Sequence, residues 1–105
     1  MKINAQIKNL CRQIVEGFSP QKIILFGSHA YGKPNEDSDI DLLVVMAYEG
    51  NELEQMVKVR RRLKSTFPLD VLVKTPAQIK ERSEMEDFFI REIIEKGKIL
   101  YEADN

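Results

Sequence analysis

Cysteine occurs once in the chain, at Cys11. A single thiol excludes an internal disulfide framework and fits a reducing compartment. Charge of one sign is also lacking: 16 basic residues nearly balance 17 acidic ones, for a formal net charge of −1. The chain as a whole therefore has no electrostatic draw toward nucleic acid or an anionic membrane; only a local patch would change that. No apolar run approaches the roughly 20 residues that span a bilayer. The opening MKINAQIKNLCRQ mixes charges through its apolar positions and so lacks a signal-peptide core. Internal repeats and low-complexity linkers are missing, as are the Gly-rich phosphate loops that end in Gly-Lys-Ser/Thr or read G-x-G-x-x-G. What remains is the profile of a soluble, cytoplasmic protein, 43% hydrophobic and 31% charged over 105 residues, expected to form a single domain over residues 1–105.

What is present is punctuated and periodic. Ile3, Ile7, Leu10, Cys11, Ile14, Val15 and Phe18 recur at helical spacing, predicting a helix over 3–18 that Ser19-Pro20 ends. KIILF (22–26) reads as a buried strand stopped by Gly27, with a short helical turn over 28–32 capped by Ser28. After the polar loop 32–38 comes a second strand, DIDLLVVMA (39–47). Leu53, Met56, Val57 and Leu63 predict the buried face of a helix over 51–66, with Arg60 in phase with that stripe. LDVLV (69–73) is a third strand, and Thr75-Pro76 opens another helix as N-cap and first helical residue. A last amphipathic helix over 86–96 uses Phe89, Ile90, Ile93 and Ile94 and stops at Gly97, before an edge strand at 98–102. The order α-β-α-β-α-β-α-α-β predicts an α/β protein of the α+β two-layer kind, with helices packed on a small mixed β-sheet.

The chemistry concentrates in ILFGSHAYGKPNEDSDIDLLVV (24–45). Residues two apart in a strand point the same way, so Asp39 and Asp41 share a direction with Ile40 turned opposite. Two adjacent carboxylates repel, and a hard divalent cation with oxygen ligands removes the conflict. Asp70, also at the front of an apolar strand, is the candidate third ligand if the second and third strands are neighbours. Alone, the Asp pair is equally the charged mouth of a solvated strand. Gly27-Ser28 adds a separate ingredient. Glycine permits a sharp turn, the following helix start offers free N–H groups, and Ser28 adds a hydroxyl, which together suit phosphate oxygens.

This set of an apolar strand, Gly-Ser, a ten-residue spacer, Asp-x-Asp and a later strand-borne Asp resembles the signature of the DNA polymerase β-like nucleotidyltransferases. The short chain is similar to the minimal nucleotidyltransferases within that superfamily. The resemblance implies that Gly27 and Ser28 bind the β- and γ-phosphates of ATP or another nucleoside triphosphate. It further implies that Asp39, Asp41 and Asp70 hold two Mg2+ ions, and that Asp70 helps deprotonate an acceptor hydroxyl. One departure stands out: many members have Arg where this chain has Tyr31, so a cation near the triphosphate is lost, with Lys33, Lys74 or Arg60 as candidate replacements and a solvated helix end as the preferred reading of the Arg run 60–62. Lone His29 reads as a surface residue.

Larger members of the superfamily add domains that grip a second substrate, for which 105 residues leave no room. In the family, minimal nucleotidyltransferases pair with HEPN toxins in toxin–antitoxin modules, and some transfer AMP to a tyrosine of the toxin. The resemblance thus implies an adenylyltransferase acting on a HEPN partner, with Phe88, Phe89 and the last helix as contact candidates. Core packing is the competing expectation for Phe89. The alternatives are a small-molecule acceptor, or an antitoxin-like subunit that neutralises its partner by contact with a weak site. A sugar-nucleotide glycosyltransferase would leave the Gly-Ser turn unexplained. The nucleotide base is undetermined by the sequence, and so is the choice between a homodimer and a heteromer.

Overall fold

The computed structural model describes residues 5–34, 38–65 and 67–104. The chain runs α1 (Ala5–Phe18), β1 (Lys22–Phe26), α2 (Ser28–Tyr31), β2 (Ile40–Val45), α3 (Glu52–Arg62), β3 (Leu69–Lys74), α4 (Pro76–Glu84), α5 (Phe88–Lys96) and β4 (Lys98–Glu102). This is the expected order of elements. Ile3, and the middle of the 32–38 loop, lie outside the described residues.

The sheet has the order β3-β2-β1-β4. β1 is antiparallel to both β2 and β4, whereas β2 and β3 are parallel, so the sheet is mixed. α3 makes the crossover that a parallel pair requires. Alternation along the strands sends Ile23, Leu25, Leu42, Val44, Val71 and Val73 to one face, where they pack with Ile7, Leu10 and Ile14 of α1 and Val59 of α3. Ile24, Phe26, Leu43 and Val45 point to the other face and pack against Ile90 and Ile93 of α5. The α/β class, with helices packed on a small mixed sheet, is as expected, and the helices cover both faces of that sheet. The physical reason lies in the unbroken apolar runs IILF and LLVV, which need shelter on both sides.

Local signals explain the boundaries. Thr75 Oγ1 accepts from Gln78 N (3.1 Å) while Gln78 Oε1 accepts from Thr75 N (2.9 Å), a complete capping box with Pro76 at the first helical position. Asn51 Oδ1 caps α3 through Leu53 N at 2.7 Å. Ser28 is not the cap of α2: Gly27 occupies that position and no side chain caps the turn. Gly97 ends α5 as expected, though not through a left-handed backbone, its φ being −66°. A Cβ there would meet the Ile93 carbonyl oxygen and lie 2.6 Å from Ile24 Cγ2, so glycine is needed for close packing on β1.

Two buried stripes differ from expectation. In α3 the sheet-facing residues are Gln55, Val59 and the following Leu63, while Leu53 is 66% exposed and Val57 40% exposed. The helix lies over the sheet so that the 55/59/63 spacing faces the core, and Leu53, Val57, Arg60 and Arg61 overhang the β3 edge. Buried Gln55 points its amide at Met46 Sδ, 3.7 Å away. In α5, Ile90 and Ile93 are buried, but Phe89 and Ile94 are half exposed rather than core.

Candidate active site

The site is assembled where β1 ends and β2 and β3 begin. Gly27 follows Phe26 with φ 74° and ψ −155°, a conformation that L side chains resist. Its carbonyl accepts from Ala30 N (3.0 Å) and Tyr31 N (3.1 Å), turning the chain into α2. A Cβ at Gly27 would collide with the Asp41 carboxylate. Glycine is thus required twice, and the turn backbone lies directly against the carboxylate. Ser28 is half-buried beside it, and the first N–H groups of α2 are not used within the helix.

Asp41 pairs with Phe26 across the antiparallel ladder and with Asp70 across the parallel one. The neighbour condition on Asp70 is therefore met. Asp41 lies two residues before Leu43, and Asp70 two before Leu72, so both rise from the face covered by α5. Ile40 turns to the opposite face and is 1% exposed. Asp39 stands just before β2, exposed to solvent. Burial and the neighbouring Asp70 and Asp39 carboxylates push the Asp41 pKa up to about 6, only partly offset by nearby His29. Among the described residues, no three acidic, His or Cys side chains converge into a ready-made metal cage. The tight element is the Asp41–Asp70 pair, with Asp39 adding charge at its margin. An all-oxygen donor set carrying mutual repulsion suits a hard divalent cation.

His29 was expected at the surface. It is partly buried instead, and its Nε2 lies 3.2 Å from the Ser38 carbonyl oxygen, tying α2 to the segment that delivers Asp39 and Asp41. Only its place in the Gly-Ser turn hinted at this role. Of the cations considered as replacements at Tyr31, Lys74 is engaged elsewhere: its Nζ sits 2.7 Å from Glu52 Oε1 at the far end of β3. Lys33 is exposed on the loop after α2. Arg60 does not face inward but lines, with Arg61, Leu53 and Val57, an open groove of ≈ 270 Å³ that reaches Asp70. Tyr31 is 40% exposed.

Comparison with known proteins bears on this geometry. The family model described as polymerase beta, nucleotidyltransferase, matches residues 5–105. The chain belongs to this nucleotidyltransferase family. It is also 31% identical over 81 residues to a Methanocaldococcus jannaschii protein named as a protein adenylyltransferase, covering 77% of this chain and 78% of that one. In three dimensions this nucleotidyltransferase is similar to one described from Sulfolobus solfataricus, with a TM-score of 0.65 at 20% identity, covering 92% of this chain and 78% of the other. A toxin–antitoxin structure with AMP-PNP superposes with a TM-score of 0.63 at 21% identity, covering 96% of this chain and 76% of that one. At such identities these two superpositions speak to the fold. No helix among the described residues is long and apolar enough to cross a membrane.

Proposed function

We propose that this nucleotidyltransferase transfers AMP from ATP to a hydroxyl of a partner protein, a tyrosine of a HEPN toxin, with release of pyrophosphate, and so acts as an antitoxin. The observation that carries the reading is the packing of the Gly27 turn against Asp41, with Asp70 directly opposite. A tight glycine turn and a carboxylate pair then share one wall. The adenylyltransferase name of the Methanocaldococcus jannaschii relative supports protein as the acceptor. The toxin–antitoxin neighbour with AMP-PNP supports the partner and the nucleotide.

In this reading Gly27 and Ser28 hold the β- and γ-phosphates, through backbone N–H groups and the Ser28 hydroxyl. Asp39, Asp41 and Asp70 would hold two Mg2+ ions, which when bound would supply charge stabilisation at the α-phosphate and a lowered pKa for the acceptor hydroxyl. Asp70, on the exposed side of the pair, accepts the proton of that hydroxyl. His29 keeps α2 and the Asp39–Asp41 segment in register, so positioning is built in before substrate arrives.

The test incubates the chain with its HEPN partner, magnesium and α-labelled ATP. Label should appear on the partner, and Asp39→Ala or Asp41→Ala should abolish it. Neutralisation of the partner without label, and equally by the double alanine variant, would replace this reading with one of inhibition by contact.

A further inference from the structure

Phe89 is half exposed on α5, the helix that Ile90 and Ile93 anchor to the sheet, and it lies beside the candidate site. Phe26, the cross-strand partner of Asp41, shares the α5 face of the sheet with it. Directly opposed residues on one face hold their Cβ atoms about 5 Å apart. The Phe89 ring stands edge-on to Phe26, with centroids 5.8 Å apart and planes at 85°. An aromatic ring, 51% exposed, is therefore one side chain further along the face from which Asp41 and Asp70 rise.

We propose that Phe89 is the platform on which the base of the bound nucleoside triphosphate stacks. The inference rests on the nucleotide-transfer reading above and adds the base subsite that the sequence leaves undetermined. A nucleotide whose phosphates lie at Gly27 and Asp41 must send its base away from the charged pair, and an apolar aromatic surface beside the carboxylates is the surface a base prefers. Phe88 is less suited: it is 75% exposed and has no ring partner among the described residues.

The platform is held before any ligand arrives. Asp87 Oδ1 accepts from Phe89 N (3.1 Å) and Ile90 N (3.2 Å), fixing the first turn of α5. Arg82 pairs with Asp87 at 3.3 Å, and Arg91 Nε donates to the Ser83 carbonyl at 3.0 Å, which ties α5 to α4. Ile90 and Ile93 anchor the helix to the sheet below. Little ordering is left to be done on binding, which favours affinity.

The test measures binding of ATP and of inorganic tripolyphosphate, each with magnesium, by calorimetry on the full chain carrying Phe89→Ala, Phe89→Leu or Phe89→Tyr. Leucine retains apolar packing on Phe26 without an aromatic face; tyrosine retains the face. The Ala and Leu variants should bind ATP about tenfold or more weakly, Tyr should match the parent, and tripolyphosphate affinity should be unchanged in all three. Unchanged ATP affinity in the Ala variant would overturn the proposal, as would full affinity in the Leu variant. So would equal weakening of both ligands, or loss confined to acceptor labelling with ATP binding intact. If the parent binds neither ATP nor tripolyphosphate, the nucleotide-transfer reading itself fails, and that result is distinct from every Phe89 outcome.

Discussion

Asp41→Asn should make the metal-free protein more stable while removing its transfer activity. In the folded chain the Asp41 pKa stands at about 6 against an ordinary 3.8, through burial first and then through Asp70 and Asp39. A raised carboxyl pKa means that folding favours the protonated form. Asp41 therefore leaves stability untouched below pH 3.8, lowers it progressively as pH rises from 3.8 to about 6, and exerts its full penalty above that. A rise of two pH units is nominally about 3 kcal/mol, but Asp41 is only partly buried, and solvent screening brings the effect to about 1 kcal/mol. Asparagine keeps the size and one acceptor but carries no charge to be repelled. Urea melts in EDTA should thus give the variant an advantage near zero at pH 4 and about 1 kcal/mol at pH 8, or roughly 4–8 °C in Tm. Comparing the variant with its parent at each pH cancels the titration of groups remote from Asp41, such as Asp87, whose pKa is held down by the hydrogen bonds it accepts from Ile90 N and Phe89 N and by its contact with Arg82. An advantage independent of pH, or a variant less stable at pH 8, would refute the account of Asp41 as a repelled carboxylate.

Gly27→Ala combines an unfavourable positive φ with a Cβ driven into Asp41, so a loss of about 2 kcal/mol or more in denaturant melts is expected, with nucleotide binding weakened alongside. Val59→Ala should cost about 1–3 kcal/mol, whereas Leu53→Ala should stay within about 0.5, because α3 buries the former and exposes the latter; equal costs in thermal melts would contradict the assigned face. Lys74→Met should reduce stability by about 1 kcal/mol through the lost Glu52 pair but leave ATP affinity at the parent value, as calorimetry would show. His29→Ala should lower the rate of label transfer more than it lowers Tm, since its bond to Ser38 aligns the turn with Asp39 and Asp41.

The strands and their order were legible because their signals are local: continuous apolar runs bounded by Gly, Pro and Asp, and caps such as Thr75-Pro76 with Gln78 following. The Gly-Ser and Asp-x-Asp spacing was legible for the same reason. Strand adjacency was not. That Asp70 lies beside Asp41 depends on β3 crossing over by way of α3 to run parallel with β2, which no nearby residue announces. The face of α3 was misread because Leu53 and Val57 are apolar yet overhang the sheet edge, whereas Gln55 is polar yet buried. Periodicity fixes a stripe but not which way tertiary packing rolls the helix. Phe89 was assigned to the core by its company with Ile90 and Ile93, and its half-exposed place beside Phe26 emerges only when α5 is set on the second face. The role of His29 depends on a carbonyl nine residues away, beyond the reach of local patterning.

The position of β3 in the sheet has a dynamic consequence. β3 is an edge strand, bonded on one side to β2. Edge strands breathe more readily than central ones, opening without global unfolding. Here the opening coordinate and the electrostatic strain coincide, because moving the start of β3 away from β2 separates Asp70 from Asp41. Without a cation the Asp41–Asp70 repulsion biases the site toward loosening its own boundary, and a cation between the carboxylates would reverse it. Amide protons along β2–β3 should exchange faster than those between β1 and β2 in metal-free protein, and slow selectively when nucleotide and magnesium are added. Substrate binding would then set the rigidity of one margin of the sheet, leaving its centre unchanged.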